Sequence, residues 1–138
     1  MQNFAQFRTL SDNSEHSQTD EPLIVRNGTG DTDLFRSVKL EGLDPARGTV
    51  LMFQVSGTDG SRLQIVRKPS EHGEHEKQLA DVHLDNTFKQ PRSWHEIVPG
   101  SLLSADENIF VARVAATPAG GTVAISDVVL LYHGMTTP

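Results

Sequence analysis

A chain of 138 residues with no cysteine holds no disulfide and no thiolate metal site, and at this length it buries a core without such staples. Its net charge of -6 argues against a nucleic-acid backbone or an anionic membrane surface as partner, since both demand a basic face. The opening MQNFAQFRTLSD lacks the basic and apolar regions of a signal peptide, and no window approaches the ~20 apolar residues of a membrane span. Cytoplasmic synthesis is the expectation, with incorporation into a virion or other assembly as one destination.

Residues 1–21 differ from the rest. Phe4, Phe7 and Leu10 share a helical i, i+3, i+6 spacing and form a small apolar anchor. SDNSEHSQTDEP, which follows, contains no apolar side chain and reads as a solvated arm. The expected division is an N-terminal arm over 1–21 and a β-domain over 22–138. Leu23 to Arg26 is a short strand, followed by a turn cluster from Asn27 to Asp33. That cluster carries alternating oxygen donors but not the spacing of a calcium loop, so an ordinary turn is preferred. Leu34 to Leu40 alternates, with Leu34, Val38 and Leu40 on one face.

Thr49 to Ser56 is a densely apolar strand, and Gly57-Thr58-Asp59-Gly60 reads as a hairpin turn to a partner strand from Arg62 to Lys68. Leu79 to Leu84 and Trp94 to Val98 are shorter strands. Ile109 to Ala116 is a third apolar strand, closed by Thr117 to Gly121 as a second hairpin onto Thr122 to Tyr132. This last run is rich in β-branched residues, apolar on both faces and charged only at Asp127. It therefore reads as a central strand. About eight short strands with Gly/Pro turns and no helical pattern predict an all-β, single-domain antiparallel sandwich.

Chemistry-bearing residues are sparse. His72 and His75, three apart among Glu71, Glu74 and Glu76, would share one face of a helical turn and suit a transition metal. Gly73 weakens that turn and no third ligand has a characteristic spacing, so a solvated charged loop is the plainer reading. Trp94, the sole Trp, stands beside Arg92 and His95 as a stacking platform with hydrogen-bonding neighbours; filling the core is its plainer role. Asp127 in an apolar strand predicts a buried carboxylate paired with a cation such as Arg113. There is no G-x-S-x-G, phosphate loop or H-E-x-x-H, so no catalytic residue is assigned, and no cofactor.

The stretches Val38 to Val66 and Asn108 to Gly134 together resemble jelly-roll β-sandwich modules of the galactose-binding type, with Asp127-Val128-Val129 placed like the interior acid and hydrophobics of their final strand. That resemblance covers about half of the chain and implies a sandwich fold and sugar binding. Two functions then compete. The first is a non-catalytic structural subunit, such as a virion decoration or tail protein, binding neighbouring subunits through Phe4, Phe7 and Leu10 and its sandwich faces as a homo-oligomer or larger assembly. The second is a carbohydrate-binding module using Trp94, Arg92 and His95 on a glycan. A metal-dependent barrel enzyme built on His72 and His75 stands third.

Overall fold

The computed structural model describes residues 2–11, 23–26, 32–69 and 75–136. In the strands up to Val38, and at Thr136, it describes the backbone alone, save for Leu34 and Val38. Among these residues nine strands follow one another: β1 (Gln2–Ser11), β2 (Leu23–Arg26), β3 (Thr32–Val38), β4 (Gly48–Gly57), β5 (Arg62–Lys68), β6 (Lys77–His83), β7 (Arg92–Pro99), β8 (Asn108–Ala116) and β9 (Thr122–Thr136). Short 3-10 turns at Asn86–Lys89 and Gly100–Leu102 flank β7.

All pairing is antiparallel, in two sheets. One has the order β1-β9-β4-β7, with β2 also on β9; the other runs β3-β8-β5-β6. This is the sandwich that the alternation and turn spacing predict. β9 is central: β4 lies on one side, while β1 and β2 lie end to end on the other. Gln2–Ser11, which carries the expected apolar anchor of the arm, is therefore sheet. It is extended and paired with β9, so the helical spacing of Phe4, Phe7 and Leu10 does not operate. Residues 12–21 of the expected arm lie outside the described residues, as do 27–31 of the expected turn cluster, whose Thr32 and Asp33 begin β3.

The two expected hairpins are sheet-to-sheet crossings instead. β4 pairs with β7 and β9, whereas β5 pairs with β6 and β8. Likewise β8 and β9 lie in different sheets. The crossings run side by side and satisfy each other's polar groups. Thr58 N–H donates to the Thr122 carbonyl at 3.0 Å, Thr122 N–H donates to Thr58 Oγ1 at 3.1 Å, and the Ser61 and Thr117 hydroxyls bond at 2.8 Å. Turn residues that close a hairpin also turn a chain between layers, so local sequence does not distinguish the two.

The core lies between the sheets. Leu51, Phe53 and Val55 of β4 meet Leu63 and Ile65 of β5, Phe110 and Ala112 of β8, and Val123, Ile125, Val128, Leu130 and Tyr132 of β9. Each fully buried large side chain contributes roughly 1.5–3 kcal/mol. Beyond the end of β4, the loop before it continues the sheet. Leu43 bridges to Gly134, and Met135 N–H donates to the Gly42 carbonyl at 2.7 Å. Gly42 sits at φ 70, and a Cβ there would strike the Met135 carbonyl oxygen.

β9 does not alternate evenly. Gln54 faces Ser126 and Met52 faces Val129, so Asp127 and Val128 together oppose Phe53. This is a β-bulge, and Asp127 adopts φ 52 within it. Val123 and Ile125 point inward before it, and Val128, Leu130 and Tyr132 after it. Asp127 is thus exposed rather than buried, and Arg113 binds Glu76 instead. Asp tolerates left-handed backbone better than β-branched residues do. Asp127→Val is expected to lower stability by about 1–2 kcal/mol, with Asp127→Gly within a few tenths of the parent. Urea midpoints measure both; equal losses would show that the carboxylate, not the backbone, matters there.

Candidate functional site

The outward face of the five-stranded sheet carries a shallow groove of about 210 Å³, lined by Met52, Phe53 and Gln54 of β4, Ser93 and His95 of β7, and Asp127 and Val129 of β9. Register explains this set. His95, Met52 and Val129 are direct cross-strand partners in one row, and Ser93, Gln54 and Ser126 in the next. Because Leu51, Phe53 and Val55 point inward, Met52 and Gln54 point outward. The bulge then adds Asp127 to the outward face, where regular alternation would have left only Ser126.

The groove is chemically mixed. Gln54 Nε2 donates to Ser93 Oγ at 2.8 Å, which orients the amide and leaves its carbonyl oxygen available. Asp127 supplies an exposed carboxylate and His95 an exposed imidazole. Met52 and Val129 give an aliphatic floor. The next row continues this floor with Ile97, Val50 and Leu131 as direct partners, and Ile97 is 78% exposed.

The sequence-derived ligand set divides across the sheet. Trp94 is half-buried against the core, its ring centroid 6.2 Å from that of buried Phe88, and its Nε1–H donates to Glu96 Oε1 at 2.9 Å. Arg92 lies over the Phe88 ring, 5.0 Å from its centroid, and also donates to Thr87 Oγ1. Asp85 accepts from Thr87 N–H at 2.8 Å and caps the 3-10 turn that holds Phe88 there. Arg92 and Trp94 therefore buttress the edge of the core, and only His95 reaches the outward groove. Gln54, Ser93 and Asp127 were missed; their signal was the outward parity of TVLMFQVS and the lone charge in the terminal run.

Of the metal pair, His72 lies outside the described residues and His75 is exposed. Among the described residues, no three His, Asp or Glu side chains are grouped to hold an ion. Phe4, Phe7 and Leu10 are placed by β1, and their side chains are not described.

This two-layer arrangement is a jelly-roll β-sandwich, and solved carbohydrate-binding modules share it. A point mutant of a family 29 carbohydrate-binding module matches at TM-score 0.52 and 14% identity, over 93% of this chain and 92% of that one. A CBM29-2 variant complexed with cellulohexaose matches at TM-score 0.50 and 12% identity, over 92% and 91%. Another, complexed with mannohexaose, matches at 0.50 and 13%, over 93% and 92%. At such identities the likeness is one of fold. No protein-family pattern matches the chain, and no curated protein is significantly similar to it.

The opposite outer face, on the four-stranded sheet, is occupied by ion pairs. Arg113 grips Glu76 with both terminal nitrogens, at 3.0 and 2.9 Å, and Lys68 adds a contact at 2.8 Å. Hydrogen bonds from Arg113, then from Lys68, hold the Glu76 carboxyl down at about 2. Arg62 likewise holds Asp81 below its ordinary range. A depressed folded-state pKa gives stability that is present above the unfolded value near 4.5 and lost as pH falls towards 2. Glu76 is 41% exposed, so solvent screening limits the effect to about 1 kcal/mol or less. Glu76→Gln is expected to flatten the loss of stability between about pH 4.5 and 2, as followed by urea unfolding at each pH.

Proposed function

We propose that the chain is a non-catalytic carbohydrate-binding module that takes a sugar on the outward groove of its five-stranded sheet. The observation that carries this reading is the groove itself: a carboxylate, an oriented amide, a hydroxyl and an imidazole around an aliphatic floor. Sugars present the matching pattern, with hydroxyls at the ring edge and C–H groups on its face. Asp127 accepts a pair of hydroxyls, Gln54 and Ser93 bind a third, His95 closes the edge, and Met52 with Val129 meet the C–H face. The glycan-bound proteins of the same fold support the reading.

No described aromatic side chain faces the groove, so affinity rests on hydrogen bonds and aliphatic contact. A dissociation constant of roughly 0.1–10 mM follows. NMR titration with cellohexaose and mannohexaose should move the amides of Gln54, Ser93, His95 and Asp127. Asp127→Gly, which keeps the bulge, should weaken binding about fivefold or more. Trp94 fluorescence should barely respond, since its ring faces the other way. Unmoved groove amides at saturating sugar would end this reading.

A second reading, a partner-protein surface in a homo-oligomer or larger assembly, is favoured by one observation, the strip of Ile97, Val50 and Leu131. Size-exclusion chromatography with light scattering tests it. A multimer that Ile97→Lys converts to monomer supports it, and a monomeric parent removes self-association.

A further inference from the structure

We infer that the inner end of the β5–β6 pair is a binding site for an oxyanion, built from Arg67 and Lys77. It lies on the other sheet from the groove and does not depend on the sugar reading. Four polar or charged residues are buried among the described ones: Thr49, Ser61, Arg67 and Asn108. Three are satisfied. Thr49 Oγ1 donates to the Val98 carbonyl at 2.8 Å, and Ser61 bonds Thr117. Asn108 Nδ2 donates to the carbonyls of Val38 and Ser104, while its Oδ1 accepts from Ser104 N–H.

Arg67 differs. It is only 6% exposed, yet its sole described contact is a long 3.4 Å bond from one terminal nitrogen to the Leu102 carbonyl. Its Nε has no partner. A guanidinium offers five donors, and a buried cation with so few acceptors carries a large desolvation penalty.

Register places a second cation beside it. Arg67 faces Lys77 directly across the β5–β6 ladder, where Cβ atoms lie about 5 Å apart. Like charges in that position repel unless something lies between them. The neighbouring described carboxylates are engaged elsewhere, Glu76 by Lys68 and Arg113, and Asp81 by Arg62. In a chain of net charge -6, two adjacent cations with no described carboxylate between them form a site for an anion. The flat fork of Arg67 suits an oxyanion with two coplanar oxygens, and half-buried Lys77 adds a movable point charge.

The test is thermal unfolding of the full chain in sulfate, in phosphate and in acetate, each against chloride at equal ionic strength. A saturable rise in Tm is expected, roughly 5–10 °C at a hundredfold excess over Kd. The acetate arm separates a carboxylate ligand from a tetrahedral one. Arg67→Met should lose the saturable component and, in chloride, melt no lower than the parent, because it removes an uncompensated buried charge. Lys77→Gln, a milder change at a more accessible position, should weaken the response without abolishing folding. A parent with no saturable response, or the same response in Arg67→Met, would overturn the site.

Discussion

In a two-layer sandwich each strand turns alternate residues to the core, and unbroken alternation from Val123 and Ile125 along β9 would turn Asp127 inward. The bulge at Asp127 resolves this. It shifts the inward set from Val123 and Ile125 to Val128, Leu130 and Tyr132, so both halves of the strand feed one core. Without that reset, Val123 and Ile125 could not share an inward face with Val128, Leu130 and Tyr132. The same shift falls at the seam between β1 and β2, whose pairings with β9 end at Val128 and begin at Ile125. One left-handed residue thereby sets the core, divides the edge into two strands, and turns a carboxylate out beside Gln54 and Ser93.

Much of the architecture was legible in the residues. Short alternating strands with glycine and proline between them announced the sandwich. The β-branched terminal run announced a central strand, and Leu34, Val38 and Leu40 were read as one face, which is the buried one. Pairing was not legible, because apart from the β5–β6 pair every described ladder joins strands distant in sequence. Asp59-Gly60 and Ala119-Gly120 have the composition of hairpin turns but occupy crossings. What decides between these outcomes is the partner layer, which no local window contains.

The groove was legible only in fragments. Parity along β7 correctly separates Trp94 from His95, but parity alone does not say which side meets the core. That depends on Phe88, carried in by the capped turn at Asn86–Lys89, which draws Trp94 and Arg92 to its side. Asp127 misled for a related reason. An acid within an apolar run looks buried if alternation is assumed to continue, and its left-handed backbone breaks that assumption. The expected partnership with Arg113 failed with it, since Arg113 projects from the outer face of the other sheet towards Glu76.

The two outer faces are unequal, and this bears on which one works. On the four-stranded sheet, Glu76 with Lys68 and Arg113, and Asp81 with Arg62, neutralise one another, and such pairs along β6 discourage another strand from adding to that edge. A surface whose charges are already matched gains little from a ligand, which would have to displace short, well-aligned bonds. Among the described residues the five-stranded sheet has no such pairing around the groove, where the Asp127 carboxylate, the Gln54 carbonyl and the aliphatic row through Met52 and Val129 face solvent. Hydrogen-bonding capacity left open beside apolar surface is what a binding face requires. On that physical ground we propose sugar recognition on the sheet organised by β9, while the outer face of the other sheet is held by its own ion pairs.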